Sequence, residues 1–89
     1  MKAIVSVVGT DKVGIIAKVT ARLAEYGVNV LDISQTILQG YFTMVMMVDC
    51  SKCTASFGEL SDGLNALGEE IGLSIRIQRT EIFESMHNI

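Results

Sequence analysis

The sequence predicts an α+β sandwich of order βαββαβ, with a four-stranded antiparallel sheet, two helices on one face and a short C-terminal helix. Three observations carry this. Apolar residues switch between two-residue alternation and spacings of three and four along the 89 residues. Glycines fall where the period switches. A short glycine-containing turn joins two consecutive β-type stretches in the middle of the chain.

The first strand spans residues 2–8 and stops at Gly9. Ala3, Val5 and Val7 lie on one face and Ile4, Ser6 and Val8 on the other, so both faces are largely apolar. From Gly14 to Tyr26 the period becomes helical. Ile16, Val19, Thr20 and Leu23 form a stripe opposite Lys18, Arg22 and Glu25, and Gly27 is the stop. Residues 28–39 form a long strand whose phase changes near Leu31-Asp32, which indicates a bulge or a strand apolar on both sides. Gly40 turns the chain into a third strand, Tyr41–Asp49. There Phe42, Met44, Met46 and Val48 alternate with Tyr41, Thr43, Val45 and Met47, and the methionines read as adaptable packing.

Cys50-Ser51-Lys52-Cys53 leads to a second helix capped by Thr54 or Ser56, the latter at capping-box distance from Glu59. Phe57, Leu60, Leu64, Leu67 and Ile71 make its apolar stripe. Gly58, Gly63 and Gly68 are close-packing positions or plain tolerance, and Gly72 ends the helix. Leu73, Ile75 and Ile77 alternate with Ser74, Arg76 and Gln78 in a fourth strand with one wet face. Ile82, Phe83, Met86 and Ile89 then return to helical spacing. Two crossovers with a hairpin between the middle strands give the ferredoxin-like arrangement, with the first and third strands central.

No linker-like stretch interrupts residues 1–89, so one domain is expected. The composition is 49% hydrophobic and only 19% charged, greasy for so small a chain. Central strands that are apolar on both faces call for a cover, and a second copy is the simplest one. A net charge of −3 with seven scattered basic residues gives no footprint for nucleic acid. No apolar run is long enough for a membrane span, and a strand bearing Lys2 stands where a signal peptide would begin. The cytoplasm is therefore the expected compartment.

The stretch Gly9-Thr10-Asp11-Lys12-Val13-Gly14-Ile15-Ile16 is the most informative for function. A turn from strand to helix there leaves amide N–H groups unused at the positive end of a helix dipole, which suits a carboxylate. The plain alternative is an ordinary tight turn, with Asp11 capping the first helix.

Catalytic readings fare worse. The first turn has Lys12 but no arginine to cradle an acyl phosphate, and His87 is the only histidine, so no nucleophile–base set exists. Cys50 and Cys53 have redox spacing, but two thiols do not make a structural zinc site. No catalytic residue, cofactor or metal is assigned, and the cysteines get no role.

The corner Gly-Thr-Asp-Lys-Val-Gly-Ile-Ile, with Tyr26-Gly27-Val28-Asn29-Val30 opening the second strand, resembles the ACT domain family over nearly the whole chain. The length and the tail from Ile82 to Ile89 resemble its small stand-alone bacterial members, related to the glycine-cleavage repressor type. The resemblance implies a regulatory module whose dimers join sheets edge to edge and bind an amino acid or similar metabolite at the interface. It places ligand contacts on Asp11, Lys12, Gly14, Ile15 and Ile16 of the first turn and on Asn29, Val30, Leu31 and Ile33 of the second strand. Asp11 suits an ammonium, Asn29 donates or accepts, and Leu31 and Ile33 supply an apolar wall from the partner. Val13 replaces a proline frequent in the family. The alternative is an adapter of the same fold that docks on another protein without a small ligand.

Overall fold

The computed structural model describes residues 1–10 and 14–80, and at Leu38 the backbone alone. The elements are β1 (Lys2–Thr10), α1 (Ile15–Glu25), β2 (Asn29–Leu38), β3 (Tyr41–Asp49), α2 (Phe57–Ile71) and β4 (Ser74–Arg79). They form one sheet of order β2-β3-β1-β4 with every pair antiparallel. This is the ferredoxin-like arrangement expected from the sequence, with β1 and β3 in the centre.

Alternation decides which side chains enter the core. Ala3, Val5 and Val7 of β1, Phe42, Met44, Met46 and Val48 of β3, and Ile75 and Ile77 of β4 are buried beneath the helices. From above, Ile15, Val19 and Leu23 of α1 and Leu60, Leu64 and Leu67 of α2 complete the same cluster. The α1 stripe thus runs through Ile15 rather than Ile16. Ile16 and Thr20 are only half-buried, because Ile15, Val19 and Leu23 take the face packed on the core, and Ile16 borders the groove beside β2.

Several boundaries differ from the expectation. Strand β1 does not stop at Gly9 but continues through Thr10, because Gly9 and Thr10 still pair with Phe42 and Tyr41. At Gly9 the missing side chain leaves room for the end of the Leu73 side chain, which a Cβ there would displace. Gly14 and Tyr26 are the caps of α1 rather than members of it. The bulge is real: the β2–β3 register shifts between Val30 and Asp32, leaving Leu31 as the additional residue. Gln39 and Gly40 both have positive φ (51° and 82°), the signature of a two-residue type I′ hairpin.

At the start of α2, Ser56 Oγ accepts the Glu59 N–H at 3.1 Å and fills one orphan donor of the first turn. The opposite face of the sheet carries Ser74, Arg76 and Gln78 on β4 and Val8 and Val45 on the central strands, all exposed. The expected C-terminal helix falls on residues 81–89 and the Asp11-Lys12 turn on residues 11–13, both outside the described residues.

Candidate functional site

Among the described residues no side chain caps the start of helix α1. Gly14 takes the N-cap in the left-handed region (φ 82°, ψ 9°), where its carbonyl accepts the Lys18 N–H at 3.0 Å. A Cβ at Gly14 would meet nothing within 4 Å, so the glycine serves backbone conformation rather than space. Among the described residues no side chain bonds to the first-turn amides. The first-turn amides of this 11-residue helix are oriented donors at its positive end.

The residues that carry these donors line a groove of about 750 Å³ between the start of α1 and the far half of β2. Gly14, Ile15, Ile16 and Ala17 form one wall, Gln35, Thr36 and Ile37 the other, and Phe42 contributes from β3. Ile15 and Phe42 are buried, whereas Ile37 is 61% exposed on the outer strand. The lining is therefore apolar, with backbone amides at one end and the Gln35 and Thr36 side chains as the neutral polar groups. None of these residues is charged.

The fold splits the residues expected to bind a ligand. Gly14, Ile15 and Ile16 come together around the groove. Asn29 lies at the other end of the sheet, where it pairs with Asp49 and borders a cavity of about 270 Å³ with Gly27, Ser51 and Lys52. Helix α1, roughly 16 Å long at about 1.5 Å per residue, separates the two ends. Val30 is half-buried against the core. Leu31 and Ile33, 46% and 39% exposed, lie along the outer strand between the two cavities. Asp11 and Lys12 lie outside the described residues.

Asp49 shapes the Asn29 end. Its Oδ1 accepts the Ser51 N–H at 2.9 Å, and this bond, with the Ser51 side chain second, holds the Asp49 carboxyl below its ordinary value. Sequence reasoning missed Gln35, Thr36, Ile37 and Phe42 as groove residues. The register would have found them: Thr10 pairs with Tyr41, so the β2–β3 hairpin sits at the same end of the sheet as the start of α1.

A βαββαβ sandwich with an apolar groove at the start of its first helix defines a class. The ACT domain family model matches residues 2–78, and the chain belongs to that family, whose members are typically regulatory ligand-binding modules. The chain is 49% identical to a UPF0237 protein of Listeria innocua over 89 residues, 100% of both chains. Among solved structures it is similar to an ACT domain protein from Streptococcus pneumoniae, with TM-score 0.84 and 46% identity over 94% of each chain. It is also similar to a structure assigned to a glycine cleavage system transcriptional repressor, with TM-score 0.74 and 25% identity over 89% of this chain and 45% of that one. The regulatory subunit of aspartate kinase from Thermus thermophilus gives TM-score 0.67 and 28% identity over 86% of this chain and 50% of that one.

Among the described residues no helix is long and apolar enough to cross a membrane. Nor does any group of three or more His, Cys, Asp or Glu among them stand ready for a metal.

Proposed function

We propose that this ACT domain is a cytoplasmic, non-enzymatic sensor that binds an amino acid or similar small metabolite between two copies of itself. The observation that carries the reading is the groove between the start of α1 and the outer strand β2. It offers amide donors for a carboxylate and an apolar wall for a side chain.

A second copy completes the site. Strand β2 is ten residues long, forms one edge of the sheet and carries the exposed apolar residues Leu31, Ile33 and Ile37. Such an edge invites another strand. In a two-fold antiparallel pairing of β2 with β2, the two chains run past each other around the middle of the strand, near Ile33 and Ser34. Asn29 of one copy then comes level with Gln35 to Leu38 of the other, beside that copy's groove. The contacts that one protomer holds at opposite ends meet in the dimer. Asn29 serves the polar end of the ligand, with Asp11 and Lys12 as further contacts from the first turn.

An adapter that accepts a protein's strand on the same edge is the competing reading, favoured by the exposure of Ile37. A thermal-shift screen of the natural amino acids separates the two. A ligand at about 100 times its Kd stabilises the fold by about 2.7 kcal/mol. The sensor reading expects a shift with one or a few amino acids, lost in Asn29→Ala. No shift with any of them favours the adapter.

A further inference from the structure

The turn Cys50–Cys53 has a construction that the ligand reading does not use. The Cys53 N–H donates to the Cys50 carbonyl at 3.0 Å, closing a four-residue turn. Such turns bring their end Cα atoms within about 7 Å, and a disulfide spans about 4.4–6.8 Å. Cys50 is buried in the hydrophobic core, and Cys53, half-exposed, packs against the same cluster.

The turn is also anchored from outside. The Cys50 N–H donates to the Met1 carbonyl at 2.7 Å, and the Thr54 N–H donates to the Tyr26 carbonyl at 2.9 Å. The Lys52 carbonyl presses on Gly27 so closely that a Cβ there would stand 2.7 Å from it.

We propose that Cys50 and Cys53 are a reversible dithiol–disulfide pair, oxidised by small-molecule disulfides of the glutathione class. The accessible Cys53 thiolate attacks one sulfur of the oxidant R–S–S–R, forming Cys53–S–S–R and releasing one thiolate RS⁻. Cys50 then loses its proton, and its sulfur attacks the Cys53 sulfur, forming the Cys50–Cys53 bond and releasing the second RS⁻. Two protein thiols are oxidised, one disulfide is reduced to two small thiols, and the two cysteine protons end on those thiols. The order follows from environment. Burial first, and then the neighbouring Cys53, push the Cys50 thiol up, so Cys50 suits the resolving step and Cys53 the first attack.

Ser51 and Lys52 wall the Asn29 cavity, so closing the disulfide stiffens that wall. The chemistry does not depend on any ligand in the α1 groove.

The test uses the full chain, folded, in mixtures of reduced and oxidised glutathione, quenched with N-ethylmaleimide and read by intact mass and non-reducing electrophoresis. The expected result is a change from two maleimide adducts to none at protomer mass, with no glutathione retained and full reversal by dithiothreitol. Cys50→Ser is expected to keep glutathione on Cys53, and Cys53→Ser to stay unmodified at the same ratio. Hydrogen exchange at the Cys53 and Thr54 amides should slow several-fold in the oxidised wild type. Persistence of two free thiols, a stable glutathione adduct on the wild type, or covalent dimers would overturn the pair. The reverse labelling pattern in the variants would overturn the order of attack, and unchanged exchange would overturn the stiffening.

Discussion

Gly63 of α2 lies directly against the ring of Tyr26, the residue that caps α1. A Cβ at position 63 would clash with the Tyr26 hydroxyl and stand 2.8 Å from Cζ and 3.0 Å from Cε2. The Arg22 guanidinium reinforces the same crossing, donating to the Gly63 carbonyl at 3.2 Å and reaching Glu25 and Glu70 at 3.5 and 3.9 Å. A missing side chain thus sets how closely the two helices approach over the sheet.

The three glycines of α2 should therefore respond differently to alanine. Gly63→Ala gains about 1 kcal/mol of helix propensity but overpacks against a ring, at about 1–3 kcal/mol. The half-buried ring can swing outward, so we expect a net loss near 1 kcal/mol. Gly68→Ala meets the Leu73 backbone carbonyl oxygen at 2.6 Å, and backbone cannot yield cheaply. Its loss should be larger, about 2–3 kcal/mol. Gly58 has only Ser56 Oγ at 4.0 Å, so Gly58→Ala should stabilise by about 0.5 kcal/mol. Urea denaturation of the three variants checks the order, and equal effects at all three positions would contradict it.

Edge-to-edge pairing makes a separate prediction. Ile33 sits near the middle of β2 and is part-exposed, so Ile33→Lys places two ammonium groups close together across the two-fold axis. The variant should sediment as a folded monomer at concentrations where the wild type is a dimer. A dimer that survives this change, or a wild type that is monomeric, removes the shared site.

Acid should probe the Asn29 end. The folded Asp49 carboxyl titrates below its ordinary value of 3.8, held there mainly by the Ser51 N–H. The folded state therefore binds this proton less readily than the unfolded chain does. The stability Asp49 contributes is complete above the unfolded value and lost as pH falls through the lower folded one. From about pH 5 to about pH 2, the wild type should lose more stability than Asp49→Asn, which cannot titrate. Parallel denaturation midpoints across that range would show that Asp49 plays no such part.

Much of this architecture was legible in the sequence because it rests on period and punctuation. The alternation of Leu73, Ile75 and Ile77 predicts β4, and the phase slip near Leu31 predicts the bulge that the register shows. Ser56 and Glu59 mark the α2 cap by spacing alone. Helix rotation was less legible: Ile15 and Ile16 are adjacent and equally apolar, and only packing against the sheet chooses Ile15. The role of Gly63 is not legible in the sequence for a similar reason, since its partner Tyr26 is 37 positions away. Along the sequence the candidate contacts form two local clusters. That Gly14 and Asn29 lie at opposite ends of α1 in one protomer follows from strand direction, which composition does not carry.

The most direct test of the shared site is subunit complementation. Asn29→Ala disables one half of the site and Ile16→Glu the other, so each homodimer should fail to bind the amino acid that stabilises the wild type. Unfolded together and refolded as a mixture, the two chains form heterodimers in which one groove and one Asn29 remain intact side by side. Calorimetric titration should then recover about a quarter of the wild-type binding capacity, because about half the dimers are mixed and each carries one of two sites. Recovery of that capacity is the result expected. If each variant fails alone and the mixture also binds nothing, the two halves do not meet across the dimer, and the account is wrong.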